Sequence, residues 1–359
     1  MELSTNHPLN SGQTAGSRLI QNMRGQRTES LPVWFMRQAG RSLPEYRAIR
    51  AETSMLESCL TPDLVAEITM QPVRRHKVDA AIFFSDIVVP FKLAGIDVDI
   101  KAGVGPVVSA PVRTREDLSR LGSVSSADFS KIVEAVQLLV AELGETPLIG
   151  FGGAPFTLAS YLVEGGPSKD LPVSRSLMKS DPELWSEILG WCADITAGFI
   201  SAQVAAGASA LQVFDSWAGK LTPSEYREFA MPSSVRLFDQ LRHLVDANSV
   251  AVPRVHFGVG TSGILQDMFD AGATVMGIDS ETDLAQANLD FGGQVPLQGN
   301  LSTDCLEEPW TEIERQVRSV ISAGSQAPGH IFNLGHGVPK DTKPEVLTDI
   351  VELVHSILA

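Results

Sequence analysis

The chain has 359 residues, 43% of them apolar, and a formal net charge of -15 from 28 Lys and Arg against 43 Asp and Glu. That balance excludes nucleic-acid binding as a main function, because neutralising phosphates needs a basic face. No uninterrupted apolar run reaches membrane-spanning length, so no membrane segment is expected. An anionic ligand would be repelled by the global field, and a local arginine cluster would have to win at short range. Cys59, Cys192 and Cys305 stand far apart without Cys-x-x-Cys spacing. They predict buried thiols in a reducing cytoplasm, with no disulfide framework and no metal ribbon.

Residues 1–16 are polar, rich in Ser, Asn and Thr, and lack an apolar signal core; a disordered tail is expected there. Pro32-Val-Trp-Phe-Met36 is then an apolar run of strand length that ends on Arg37. Gly40 offers a tight turn, Arg41 follows, and Ser42-Leu-Pro44-Glu45 predicts a capping box with proline in the first helical turn. Arg37 and Arg41 therefore fall where a strand hands over to a helix. Two guanidiniums there repel each other unless an anion lies between them or each has a structural carboxylate. Their place on a turn after a buried run favours the anion.

Thr61-Pro62-Asp63 predicts a capped helix to about Lys77, and Asp79–Phe84 a short strand covered on both faces. Ser85-Asp86 ends it, and no helix begins at once to use Asp86 as a cap, so its carboxylate is a site candidate. Ile96–Lys101 alternates with period two and breaks at Gly103-Val-Gly105-Pro106, predicting a surface β excursion. Glu116–Gly144 has helical periodicity. Pro147–Phe151 is a strand running into the turn Gly150–Pro155, which lacks the spacing and lysine of a phosphate loop; close backbone packing or room for a bulky ligand fits better. A helix follows over Phe156–Val163. Tyr161, on that helix about one turn beyond Pro155, is as consistent with a core ring as with a hydroxyl donor.

Asp181-Pro182 caps a long helix to about Ala206. Ala210–Phe214 is a strand ending at Asp215-Ser216-Trp217, and Thr222-Pro-Ser-Glu225 is a second capping box. No Gly-x-Ser-x-Gly elbow surrounds Ser216, so a hydrogen-bonding role is expected and not a nucleophilic one. Val250–Val255 ends on His256, Thr274–Ile278 on Asp279-Ser280, Pro296–Gly299 on Asn300, and Ile331–Leu334 on Gly335-His336. His256 lacks a neighbouring sulfur ligand, which argues against zinc. His336, between two glycines on a turn, offers an imidazole, the side chain that titrates near neutrality. A last helix covers Pro344–Leu358.

Eight buried runs, near residues 33, 80, 148, 211, 252, 275, 297 and 331, each followed by a helical stretch, predict a single (β/α)8 TIM barrel over residues 17–359. A doubly wound open sheet is the alternative. The barrel places the polar strand ends on one rim, where such folds keep their chemistry. Two arginines, a carboxylate, a phenol, a hydroxyl and an imidazole on that rim suit a poly-carboxylated, nitrogen-bearing small molecule.

Pro32–Arg41 with Ser42-Leu-Pro-Glu-Tyr-Arg47 resembles the first signature of the uroporphyrinogen decarboxylase family, and Gly150–Gly165 the second. Phe84-Ser-Asp86-Ile, Phe214-Asp-Ser216-Trp-Ala-Gly219 and Asn333-Leu-Gly-His336-Gly are similar to its other blocks. The resemblance implies a cofactor-free and metal-free homodimeric carboxy-lyase of haem biosynthesis. Its reaction removes carbon dioxide from the four acetate arms of a tetrapyrrole, uroporphyrinogen, to give coproporphyrinogen. By the same resemblance, Arg37 and Arg41 bind substrate carboxylates, and Asp86 sits beneath the macrocycle and accepts its pyrrole N–H groups. Tyr161, Ser216 and His336 supply further polar contacts, with Arg50 a weaker candidate. The proton donor stays open among Arg37, His336 and water. Ser302-Thr303 after Leu301, and Ser280 after Asp279, depart from the family pattern at two rim loops. Two other readings are a zinc-dependent methyltransferase, for which the metal ligands are missing around His256, and a non-catalytic tetrapyrrole binder, which would have no need of Asp86.

Overall fold

Seven short parallel strands follow one another around a curled sheet: β1 (Ala81–Ile82), β4 (Leu148–Gly153), β5 (Ala210–Asp215), β6 (Arg254–Gly258), β7 (Val275–Gly277), β8 (Leu297–Gln298) and β9 (His330–Ile331). Each pairs with the next in chain order, without the reversal of strand order that a doubly wound sheet requires. The structure is a computed structural model that describes residues 2–122, 124 and 127–358.

The run Pro32–Met36 lies between the two outer strands. Val33 bridges Phe332, next to β9, and the Phe332 N–H donates to the Pro32 carbonyl at 2.9 Å. On its other side the Asp79 N–H donates to the Val33 carbonyl at 2.8 Å. The expected first strand is thus one bridged residue. The reason is local: the Asp79 carboxylate takes the Val33 N–H at 2.8 Å, which a strand ladder would otherwise use.

The β excursion is a two-stranded antiparallel hairpin, β2 (Val98–Lys101) and β3 (Gly105–Val108), set after β1. The glycines of the Gly150 motif serve close packing. A Cβ on Gly152 would stand 2.8 Å from Thr196 Cγ2, and one on Gly150 would stand 3.0 Å from Gln203 Oε1, both on the helix Pro182–Ala206. That helix is long and apolar enough to cross a membrane by length and composition alone, although Glu183, Glu187 and Asp194 interrupt its apolar residues. Here its apolar residues, Leu184, Trp185, Ile188, Ile195, Phe199 and Ile200 among them, are buried.

Several local expectations are corrected. Residues 2–16 are not a disordered tail: Leu3, His7 and Leu9 are buried, Glu2 bridges Val245, the His7 ring meets the Val204 carbonyl at 2.9 Å, and Thr14 bonds Ser209 at 2.8 Å. Met1 lies outside the described residues. The Ser42 capping box does not form. Leu43 is the N-cap of the helix Pro44–Arg50, and Glu45 instead grips Arg75 through two bonds of 2.8 and 2.9 Å. Thr61 caps nothing with its side chain, which donates to the Glu57 carbonyl. The box at Thr222–Glu225 and the Asp181 cap do form. Glu116–Gly144 resolves into two helices, Arg115–Ser119 and Ser130–Leu143, and Ser123, Ser125 and Ser126 of that stretch lie outside the described residues. Strand β6 starts at Arg254, after Pro253, so His256 is a buried strand residue and not a rim group.

Candidate active site

Arg37 leaves the buried run on a braced turn. The Met36 N–H donates to Asn333 Oδ1 at 3.0 Å, and the Phe35 N–H to Gln38 Oε1 at 2.9 Å, while Gln38 Nε2 donates to the Ala80 carbonyl at 3.0 Å. Between these anchors Arg37 adopts φ 61°, a left-handed conformation that costs an L-residue about 1–2 kcal/mol. Its aliphatic stem lies on Gly337: a Cβ added there would stand 2.5 Å from Arg37 Cδ and 2.8 Å from Cγ. The first motif is thereby seated on the His336 turn, which comes from the far end of the chain. His336 itself is exposed.

Asp86 follows β1. The Phe84 N–H is taken by the buried Thr69 hydroxyl at 3.0 Å, and the Val88 N–H donates to Asp86 Oδ1 at 3.0 Å. Although the residue is partly open, burial of its carboxyl raises its pKa above the usual aspartate value; the Val88 N–H and the Arg37 guanidinium oppose this without cancelling it. Burial pushes the Tyr161 phenol to about 12, with Asp86 adding to the shift and Arg37 opposing it. Arg37, Asp86 and Tyr161 therefore occupy one electrostatic neighbourhood. The buried Cys59 thiol feels Asp86 too, and is pushed up, chiefly by burial.

Tyr161 is half-buried and packs against the core. It stacks on Trp217 with ring centroids 4.2 Å apart and planes at 28°, and Trp217 adjoins the exposed Ser216. Behind them Phe151, Phe214 and Phe257 meet edge to face across β4, β5 and β6, at 5.4 and 6.1 Å. Exposed Arg41 lies across the turn from Arg37, and it bears on the Tyr46 phenol, as does Arg50. Among the described residues neither Arg37 nor Arg41 has an acidic side chain within ion-pair distance, whereas Arg74, Arg75, Arg115 and Arg236 each do. Arg50 is committed to its own loop through Thr53 and Ser58.

The motifs did not single out the residues that hold this site together: Gln38, Thr69, Asp215, Asp279 and Asn333. Asp215 accepts from Thr157 at 2.8 Å and Asp279 from the Gly260 N–H at 2.5 Å; both are buried. The visible signal was a polar residue within an apolar run for Asn333 and directly after one for Asp215 and Asp279. His256 Nδ1 meets the Met268 carbonyl at 3.1 Å, which leaves it in the wall of the sheet.

These features define a parallel α/β protein with a charged and aromatic cluster at the carboxyl ends of its strands, the place where such folds carry out chemistry. A family model for uroporphyrinogen decarboxylase matches residues 14–357. The chain is 56% identical over 346 residues to the uroporphyrinogen decarboxylase of Arthrobacter sp. (strain FB24), covering 96% of this chain and 99% of that one. It is 53% identical over 368 residues to that of Leifsonia xyli subsp. xyli (strain CTCB07), covering 98% of each. Among solved structures, a methyltransferase from Methanosarcina mazei superposes with a TM-score of 0.74 over 96% of this chain and 98% of that one; at 18% identity the likeness is one of fold. The chain belongs to the uroporphyrinogen decarboxylase family.

Proposed function

We propose that the protein removes carbon dioxide from the four acetate arms of uroporphyrinogen, giving coproporphyrinogen, and that Arg37, Arg41, Asp86, Tyr161, Ser216 and His336 form its site. The observation that carries this reading is a half-buried Asp86 carboxylate in the electrostatic reach of the Arg37 guanidinium, which among the described residues has no acidic side chain within ion-pair distance. A pyrrole acetate loses carbon dioxide only if the electrons of the breaking bond find a sink. Protonating the ring carbon next to the one that bears the arm supplies one, a cationic iminium conjugated with the arm-bearing carbon. The C–C bond then breaks, carbon dioxide leaves, and its electron pair neutralises the ring as an exocyclic methylene. Protonation of that methylene and loss of the ring proton give the methyl product.

Asp86 stabilises the cation and accepts pyrrole N–H groups from beneath. A charge pair about 4 Å apart is worth about 4 kcal/mol at an effective dielectric of about 20. Arg37 and Arg41 grip neighbouring carboxylates, for which planar forked guanidiniums suit better than ammoniums. Tyr161, kept a neutral phenol by its raised pKa, donates a hydrogen bond, as does Ser216. His336, on the glycine turn that seats the Arg37 stem, supplies a further polar contact. No step calls for a metal or an organic cofactor.

The same reading takes residues 17–359 as one catalytic domain. It takes the Pro32–Met36 segment as the eighth strand of a closed (β/α)8 barrel, which the hydrogen bonds of Val33 and its neighbours to both outer strands support. It also includes a homodimer in the cytoplasm; three free, buried cysteines suit a reducing compartment. The test is to incubate the purified chain with uroporphyrinogen under reducing conditions and separate the oxidised porphyrins by carboxylate number. Stepwise appearance of products with seven to four carboxylates is expected. An unchanged eight-carboxylate pool would overturn the proposal.

A further inference from the structure

A buried polar chain lies behind the Tyr161–Trp217 stack and takes no part in the chemistry above. Thr157 is in the first turn of the helix Pro155–Glu164 and is fully buried. Its hydroxyl donates to Asp215 Oδ1 at 2.8 Å and accepts the Trp217 backbone N–H at 3.2 Å. Tyr161 is four residues further along the same helix, hence on the same face one turn away. There it stacks on the Trp217 ring at 4.2 Å. The helix is also tied at its start, where the Ala154 N–H donates to the Phe214 carbonyl at 2.8 Å.

The loop after β5 and the helix after β4 thus meet twice, once through the Thr157 hydroxyl and once through the two rings. With the Ala154–Phe214 bond these make three fixed points, which leave the helix one orientation where a single point would let it pivot. We infer that Thr157, braced by Asp215, is a positioning residue that sets where the Tyr161 hydroxyl stands relative to Asp86. The inference rests on the reading of Tyr161 as a substrate contact. Asp215 enters as an acceptor only: its Oδ1 must receive the Thr157 proton so that the hydroxyl lone pair is left for the Trp217 N–H.

The experiment is a double-mutant cycle of Thr157→Val and Tyr161→Phe, with Thr157→Ser as the conservative variant and near-ultraviolet circular dichroism as a readout independent of activity. Thr157→Val is expected to lower kcat/KM about tenfold, the scale of one hydrogen bond to a buried charged group, and Thr157→Ser to restore it to within about twofold. In the Tyr161→Phe background Thr157→Val should cost less than about twofold, because the hydroxyl it positions is already gone. The aromatic dichroism lost in Trp217→Ala should also be lost in Thr157→Val and kept in Thr157→Ser. If Thr157→Val fails to fold, Trp217→Ala takes its place in the cycle with the same expected non-additivity. Equal tenfold losses in both backgrounds, or unchanged dichroism in Thr157→Val, would overturn the inference. Should the parent chain leave uroporphyrinogen untouched, the function reading fails, and the dichroism alone still decides whether Thr157 holds the stack.

Discussion

Replacing Asp86 by Asn removes a charge at nearly constant shape, and so separates binding from turnover. The resting pyrroles are neutral and an amide oxygen still accepts their N–H groups, so KM should change less than about threefold. The transition state carries a positive charge. Losing a carboxylate about 4 Å away removes about 4 kcal/mol, which lowers kcat about a thousandfold. The pH behaviour follows from the sign of the Asp86 shift. Burial raises its pKa, so the acid limb of kcat/KM in the parent protein lies above the ordinary aspartate range near 3.9, and it disappears in Asp86→Asn. Stability moves the opposite way to activity. A raised folded-state pKa means the ionised carboxylate destabilises the fold at neutral pH, and this cost fades as pH falls through the raised folded value to the unfolded one. Asp86→Asn should therefore melt higher than the parent at pH 7, with the gap closing toward pH 4. Steady-state kinetics on uroporphyrinogen and thermal melts from pH 4 to 8 check both halves. Equal losses in binding and turnover, or a lower melting temperature at pH 7, would refute the assignment.

Gly337→Ala should place a methyl against the stem of Arg37 and push its guanidinium aside, raising KM about tenfold with the melting temperature nearly unchanged. Arg37→Lys should raise KM in the same sense, because one ammonium cannot make a forked contact; unchanged kinetics would remove Arg37 from the clamp. Asp79→Ala should act on the fold. Its carboxylate joins Arg18 at 2.7 Å, the Val33 N–H at 2.8 Å and His355 at 2.7 Å, linking the N-terminal helix, the bridging segment and the C-terminal helix. Removing it should cost about 3 kcal/mol in urea unfolding, while kcat/KM of the folded protein stays within about twofold.

What could be seen from the residues alone was the sequence of strand ends, because each buried run stops at a polar or glycine residue whatever its partners are. Strands β4 and β5 and the β2–β3 hairpin fall where periodicity puts them. What could not be seen depends on groups far apart in the chain. The serine of Ser42-Leu-Pro-Glu is spaced correctly for a cap, yet Arg75, thirty residues on, recruits the glutamate. Residues 2–16 look unstructured because Leu3, His7 and Leu9 are too few to show a period, and their burial depends on partners such as Val204 and Val245. Arg37 and Asp86 stood out as candidates. Their common neighbourhood did not, nor did Asn333, which is 297 positions from the backbone N–H it accepts.

Two opposite charges close together in a fold ordinarily collapse into an ion pair, and a collapsed Arg37–Asp86 pair would serve neither carboxylate arms nor a cationic ring. Three features oppose that collapse. The left-handed backbone at Arg37 directs the side chain along a course that an unstrained turn would not give. Gly337 gives the stem a seat that no other residue type would leave open. Gln38, bonded to both Phe35 and Ala80, prevents the turn from relaxing. Asp86 meanwhile accepts one backbone N–H at Oδ1, from Val88, and carries a raised pKa. Arg37 opposes that rise without cancelling it, and among the described residues the two do not form an ion pair. On the proposed reading, the strain at Arg37 leaves a pair of charges available to a third partner, and the residues that impose it matter to the site as much as those assigned to the substrate.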